Sequence, residues 1–155
     1  LEEANIIRYG VMHRNTFINS PQILNQTLET KKRQGLFFAG QITGTEGYTE
    51  SIATGMLAGI NIAKRIQGEE LVKLPLETML GALTFYITDI AHLEHISSRD
   101  GSLRYLPLQP TNSNWAIVSP IELPKNERKN KKLKTEKLSQ RAIDVLNKLV
   151  ENGSI

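Results

Sequence analysis

Hydrophobic and polar positions along this 155-residue chain follow a helical period in four segments. The first segment begins with Ser20 and Pro21, a helix cap and a first-turn proline, and carries apolar residues at helical spacing as far as Gly35. The second segment, from Tyr48 to Ile66, mixes large apolar residues with small ones, and Gly68 suits a C-terminal cap. These patterns predict two helices, one on each side of a short apolar run.

Two more helical patterns lie in the second half of the chain. Pro75 opens the third pattern, which carries apolar residues as far as Ile87. The fourth pattern runs from Lys137 to Asn152 with one apolar face, and Gly153 follows it as a stop signal. Between them, from Asp89 to Pro124, glycine and proline interrupt every period, which predicts a loop with one or two short strands.

The apolar run Leu36 to Ala39 separates the first two predicted helices. Glycines bound this run on both sides, which is typical of a strand buried on both faces of a parallel sheet. Gly40, Gly44 and Gly47 follow and allow a sharp turn that can approach a ligand closely. The next helix would offer unpaired N–H groups to a phosphate or to the edge of a flavin ring. The sequence therefore predicts an α/β fold with a ligand site at this turn.

The residues of the apolar run and the glycine turn resemble a motif of a known protein family. Residues 35–51 read G-L-F-F-A-G-Q-I-T-G-T-E-G-Y-T-E-S, which resembles the second FAD-binding motif of the folate- and FAD-dependent tRNA (uracil-5-)-methyltransferases, the TrmFO family, formerly Gid. Residues 8–21, R-Y-G-V-M-H-R-N-T-F-I-N-S-P, are similar to a second marked segment of that family. The resemblance is strong as far as Gln67, weaker to Thr88, and fades beyond it.

The resemblance implies a set of site residues. The implied FAD contacts form one run: Gly40, Gln41, Gly44, Glu46, Gly47, Tyr48 and Ser51. His13, Arg14 and Asn15 would lie near the flavin and the folate, although a lone histidine also suits a structural hydrogen bond.

A third segment of the chain carries a partial match to the family. Residues 109–115 are similar to a family segment Q-P-M-N-x-N-F-G, but Thr111, Trp115 and Ala116 differ from it. Only Asn112 and Asn114 are therefore carried over as implied site residues, while the tryptophan equally suits a core position.

The resemblance also implies an activity and an incomplete site. In the family, FAD reduced by NAD(P)H passes the methylene group of 5,10-methylenetetrahydrofolate to C5 of a T-loop uridine in tRNA, and the protein orients the cofactor. The chain has no cysteine to activate uracil and no G-x-G-x-x-G turn, so no catalytic residue is expected in it. With a start at Leu1, it is expected to be an inactive C-terminal piece whose partner is the missing N-terminal half.

The implied fold is the C-terminal part of a doubly wound, Rossmann-like FAD-binding domain with a helical extension and a basic C-terminal helix. Residues 1–120 would belong to the FAD-binding domain, and residues 121–155 would form a basic linker and the last helix. One alternative is the related flavoprotein that installs carboxymethylaminomethyl groups at the wobble uridine, which shares F-F-A-G-Q-I and G-Y-x-E. A non-catalytic RNA- or protein-binding module is the other.

Charge is unevenly distributed, although the formal net charge is only +3. Basic residues crowd into residues 125–137, where Lys129, Lys131, Lys132 and Lys134 are candidates for phosphate contacts with tRNA. A solvated linker is an equally balanced interpretation of such a run.

Other classes of protein and site are disfavoured. No segment has the length and apolar character of a membrane span, and no signal pattern opens the chain, so a cytoplasmic protein is expected. His92 and His95 share helical spacing but have no third ligand nearby, so no metal site is expected.

Overall fold

A computed structural model describes residues 15–89 and 108–155 of the chain. Its helices, in chain order, are α1 (Ser20–Ile23), α2 (Tyr48–Gln67), α3 (Met79–Thr88) and α4 (Lys131–Glu151), and a short 3₁₀ turn spans Gly40–Thr43. Within the described ranges, β pairing is limited to isolated bridges, Leu24 with Thr30, Glu29 with Phe37 and Thr45 with Thr111. The helical half of the expected α/β fold is therefore present there, and a doubly wound sheet is not formed by these residues.

The predicted first helix is wrong beyond its first turn. Helix α1 ends at Ile23, and Leu28 adopts a left-handed backbone with φ of 67°. The carboxylate of Glu29 accepts hydrogen bonds from the Gly35 amide and from Arg65, while Thr30 binds the backbone of Arg33. These local side-chain bonds offer the backbone an alternative to the helix. The apolar spacing reflects burial of a loop.

The predicted strand over residues 36–39 is also wrong within the described residues. Only Phe37 forms a bridge, and Leu36 is 38% exposed. Backbone bonds to this segment come from one side, from the Thr30 amide to the Leu36 carbonyl and from the Phe38 amide to the Leu28 carbonyl. An interior strand of a parallel sheet pairs with parallel neighbours on both edges, whereas this segment has a single antiparallel bridge to the loop before it.

Helix α2 confirms its prediction within one residue at its C-terminal end. Gly68 follows with φ of 75°, and its amide donates to the Arg65 carbonyl while the Glu69 amide donates to the Lys64 carbonyl. This is the expected left-handed cap. One face of α2 is buried, and there the Asn61 side chain bonds the backbone of Val72 and Thr27.

The opposite face of α2 is apolar but exposed. The exposed fractions are 93% for Tyr48, 73% for Ile52, 61% for Met56 and 81% for Ile66. Between these side chains lie Gly55 and Gly59, whose Cβ positions would meet no other atom within 4 Å. Nothing in the described part of the chain packs on this face.

Helix α3 confirms the third pattern but begins at Met79, after the residues that follow Pro75. The Thr78 hydroxyl caps it by accepting from the Gly81 amide at 3.0 Å. Gly81 leaves no room for a side chain, because a Cβ there would lie 2.6 Å from the Leu74 carbonyl oxygen. The core packs around α2 and α3 and contains Leu28, Leu57, Ala58, Val72, Leu74, Leu83, Ile87 and Leu108.

Helix α4 begins at Lys131, earlier than the Lys137 start that the sequence predicted. The Asn130 side chain accepts a hydrogen bond from the Leu133 amide at 3.1 Å and so acts as the N-cap. The sequence prediction missed this cap because it lies within the basic run. Buried Leu138 packs with Ala82 and Val118. Much of the basic run is thus the first part of a helix rather than a linker.

The segments between α3 and α4 are only partly described. Residues 108–124 form a loop with no strand beyond the bridge at Thr111, and the rest of the segment for which one or two short strands were predicted lies outside the described residues. Trp115 is 39% exposed and does not belong to the core. His92 and His95, with the rest of 90–107, lie outside the described residues.

Candidate cofactor site at the glycine turn

Three glycines shape the turn between the 36–39 segment and α2. Gly40, Gly44 and Gly47 have φ values of 73°, 85° and 106°, a region that other residues rarely adopt. A Cβ on Gly44 would lie 2.6 Å from a methyl group of Leu108, and one on Gly47 would overlap the Glu50 carboxylate. The backbone of the turn therefore favours glycine at all three positions, and a side chain at Gly44 or Gly47 would also have to displace Leu108 or Glu50.

Buried hydroxyl groups hold the glycine turn in place through hydrogen bonds to its backbone. The Ser20 hydroxyl donates to the Thr43 carbonyl at 2.8 Å, and the Thr43 hydroxyl donates to the Gly40 carbonyl at 2.7 Å. The Gly40 amide donates to the Thr54 hydroxyl at 3.0 Å, and Thr54 lies on α2. All four residues are buried. The turn is thus fixed to α1 and α2 before any ligand arrives, a role that the sequence pattern alone did not reveal.

The N-terminus of α2 opens onto a shallow depression of about 290 Å³ lined by Gln41, Gly47, Tyr48 and Ser51. Gly47 is the N-cap and has no side chain that could cap the helix. The first N–H groups of a helix have no carbonyl partner inside it, so those of α2 can donate to a ligand in this depression.

Glu50, in the first turn of α2, joins the turn to a distant loop. Its Oε1 accepts from the Ser113 hydroxyl at 2.6 Å and from the Ser113 amide at 3.2 Å. The hydrogen bond from the Ser113 hydroxyl lowers the pKa of the Glu50 carboxyl below its ordinary 4.5, and the Glu50 amide adds to the effect. No sequence pattern predicts this pair, because Glu50 and Ser113 are distant in sequence.

A backbone bridge runs beside this pair. The Thr111 amide donates to the Gly44 carbonyl at 3.0 Å, and the Glu46 amide donates to the Thr111 carbonyl at 2.8 Å. The loop at 111–113 is therefore docked on the glycine turn by backbone and side chain together.

The structure brings together part of the expected site. Gln41, Gly47, Tyr48 and Ser51 line the depression, whereas Gly44 is buried and Glu46 is exposed beside it. Gly40 lies behind the depression, with its Cβ position 3.6 Å from that of Ser51.

The remaining expected residues divide into two groups. Asn112 is exposed next to Ser113, while the Asn114 amide is engaged in its own turn, donating to the Asn112 carbonyl and accepting from the Ala116 amide. Asn15 is exposed, and His13 and Arg14 lie outside the described residues.

The four candidate tRNA lysines lie together at the start of α4. Lys129, Lys131, Lys132 and Lys134 are all exposed, and the first turn of α4 contains no acidic residue. Positive charge at a helix N-terminus opposes the helix dipole at a cost of about 0.3 to 1 kcal/mol per exposed group at low salt. The dipole therefore opposes these charges, and the pair that Lys132 forms with Glu136 at 4.0 Å is exposed and contributes little.

Comparison with known proteins first gives a class. Residues 1–70, which include the glycine turn, match the family described as "Glucose inhibited division protein A". A crystal structure of Aquifex aeolicus GidA is 45% identical, covers 44% of this chain and 12% of that chain, and has a TM-score of 0.42.

The curated relatives that match the chain carry a more specific name. The methylenetetrahydrofolate–tRNA-(uracil-5-)-methyltransferase TrmFO of Brevibacillus brevis is 50% identical over 146 residues, 94% of this chain and 30% of its own length. The protein of the same name from Natranaerobius thermophilus is 47% identical over 97% of this chain and 31% of its own length. The chain is thus similar to TrmFO proteins over nearly all of its own length and spans about 30% of the length of these relatives.

None of the helices in residues 15–89 and 108–155 is long and apolar enough to cross a membrane.

Proposed function

We propose that this chain supplies one part of the flavin site of a folate- and FAD-dependent tRNA (uracil-5-)-methyltransferase. The observation that carries the proposal is the turn of three left-handed glycines that opens the N-terminus of α2 onto a depression. The names of the relatives at 45–50% identity supply the substrate and the reaction class.

The depression fits a portion of FAD rather than the whole molecule. The N-cap Gly47 and Tyr48, the first residue of α2, line it with Gln41, so the helix N–H groups and the Gln41 side-chain amide are the proposed donors. The Glu50 carboxylate already lies against Gly47 at this helix end, so a phosphate there would meet a like charge. An electron-rich but uncharged edge of the flavin ring is the better fit.

When bound, the flavin would supply the electron chemistry that moves the methylene group of 5,10-methylenetetrahydrofolate to a T-loop uridine, with NAD(P)H as reductant. The chain would orient the ring through Gly47 and Tyr48 and exclude water with the exposed tyrosine. Asn15, Asn112 and, outside the described residues, His13 and Arg14 are the proposed neighbours of the folate.

The site is proposed to be completed by the rest of a family-length polypeptide. The chain has no cysteine, and hence no thiolate to attack uracil. The exposed apolar face of α2, with Gly55 and Gly59 open along it, is suited to close packing of another element. We propose that the remainder of that polypeptide covers this face, and that the enzyme acts on tRNA in the cytoplasm.

The wobble-uridine alternative has weaker support. That alternative rests on the shared F-F-A-G-Q-I and G-Y-x-E residues, whereas the curated TrmFO relatives match 94% to 98% of the chain. If the longer polypeptide fails to transfer the methylene group, the chain belongs instead to a binding module without catalytic activity.

Transfer of labelled methylene from the folate donor to unmodified tRNA tests the proposed reaction. The family-length polypeptide should label C5 of the T-loop uridine, and the 155-residue chain alone should give no turnover. Turnover by the chain alone, or labelling of the wobble uridine by the longer polypeptide, would contradict the proposal.

A further inference from the structure

The strongest unassigned feature is the contact between Glu50 and Ser113, which connects residues far apart in sequence. One carboxylate oxygen of Glu50 accepts hydrogen bonds from both the hydroxyl and the backbone amide of Ser113. Hydrogen bonds to a charged acceptor are about twice as strong as neutral ones, so this is a strong point of attachment. It joins the first turn of α2 to the loop at 111–114.

Glu50 also contacts the lining of the depression directly. Its carboxylate occupies the space that a side chain on Gly47 would need, and Gly47 is the N-cap of α2. Glu50 therefore touches a lining residue on one side and Ser113 on the other. The bridge from Thr111 to Gly44 completes the attachment of the loop.

We propose that Glu50 is a positioning residue of the site, which holds the 111–114 loop against the glycine turn and so fixes the geometry of Gly47 at the flavin ring. This inference rests on the proposed function, because it assigns the ring to the depression. Neither the glycine turn nor the loop needs Glu50 for its own local hydrogen bonds, so its reach to Ser113 serves the connection between them.

Three substitutions test separately the length of the Glu50 side chain, its negative charge and the Ser113 hydroxyl. Glu50→Asp keeps the negative charge at the helix end but shortens the side chain, Glu50→Gln keeps the length without the charge, and Ser113→Ala removes the hydroxyl. Glu122→Gln removes an exposed carboxylate elsewhere and serves as the matched control.

Amide hydrogen exchange of the chain tests the attachment without any flavin. Exchange at the Ser113 amide should accelerate about tenfold to a hundredfold in Glu50→Asp, since a hydrogen bond to a charged group is lost. Ser113→Ala should give a smaller increase, and Glu122→Gln none. Unchanged exchange in Glu50→Asp would overturn the attachment.

Flavin properties of the family-length polypeptide test the positioning. Glu50→Asp and Ser113→Ala should weaken flavin retention and shift the flavin absorption bands, while Glu50→Gln should also raise the reduction potential, because a negative charge near the ring is removed. A purely structural role would lower stability and leave the bands and potential of the retained flavin unchanged, which would overturn the proposal. Wild-type protein without flavin would contradict the proposed function itself, whatever the exchange rates.

Discussion

At the scale of single residues, the buried carboxylate of Glu29 depends on one cation. Its side chain is 5% exposed and pairs with the Arg65 guanidinium, which also donates from Nε at 2.9 Å. The hydrogen bond from Arg65 lowers the pKa of Glu29 below its ordinary 4.5, although burial acts in the opposite direction. A group with a lowered folded pKa stabilises the protein above its unfolded pKa and loses that contribution as the pH falls.

The Arg65→Ala variant should therefore lose about 2 to 3 kcal/mol of unfolding free energy at pH 7, because it leaves a buried carboxylate without its partner. The loss should shrink as the pH falls below about 4.5, where the carboxyl takes up a proton in the unfolded state. Urea unfolding across this pH range measures both effects.

Lys64→Ala is the matched control, because Lys64 precedes Arg65 on α2 and pairs with Glu69, whose side chain is 52% exposed. A surface pair of this kind contributes about 0 to 1 kcal/mol. An equal loss in both variants at pH 7 would show that burial of Glu29 does not matter.

At the scale of elements, sequence periodicity predicted those helices whose apolar face packs on the core. Helix α2 and the body of α3 were predicted because burial of Leu57 and Leu83 follows the helical repeat. The loop after α1 was missed, since Leu24 and Leu28 are fully buried at helical spacing in a segment held by the side chains of Glu29 and Thr30.

The candidate site also has one part that the sequence predicts and one part that it does not. The glycine turn was predictable, because positive φ and a helix start are written in adjacent residues. The docking of Ser113 on Glu50 was not, because nothing in a single sequence pairs two residues that far apart.

Gly81 gives a test of the element that begins at the Thr78 cap. Gly81→Ala should destabilise the chain by about 2 to 4 kcal/mol, because the new Cβ would overlap the carbonyl groups before α3. Gly59→Ala on α2 meets open space and should stabilise the isolated chain by about 0.5 to 1 kcal/mol. Thermal unfolding of the two variants should shift in opposite directions, and a stable Gly81→Ala variant would contradict the packing of α3.

At the scale of the whole molecule, the basic start of α4 is either a surface that binds tRNA or a charge run that only keeps the protein soluble. Neutralising its lysines distinguishes the two. Changing Lys129, Lys131, Lys132 and Lys134 to Gln should reduce the slope of log affinity for tRNA against log salt by about 2 to 4. Helix α4 should not be weakened by much, since these charges oppose its dipole and the Lys132–Glu136 pair that is lost is exposed.

The control for this variant removes Lys32, Lys73 and Lys148, exposed lysines away from the start of α4. Binding of tRNA by the family-length polypeptide is measured at several salt concentrations. If the slope is the same in the wild type and in the α4 variant, tRNA recognition belongs to other parts of that polypeptide.

The central claim is that the glycine turn holds a flavin, and flavin retention after substitution of Gly47 tests it most directly. Gly47→Val should abolish retention by the family-length polypeptide, because the side chain would displace Glu50 and block the depression. Gly35→Val carries a similar left-handed φ of 79° in open space, so it should cost stability and keep the flavin. Undiminished flavin in a folded Gly47→Val protein would contradict the account.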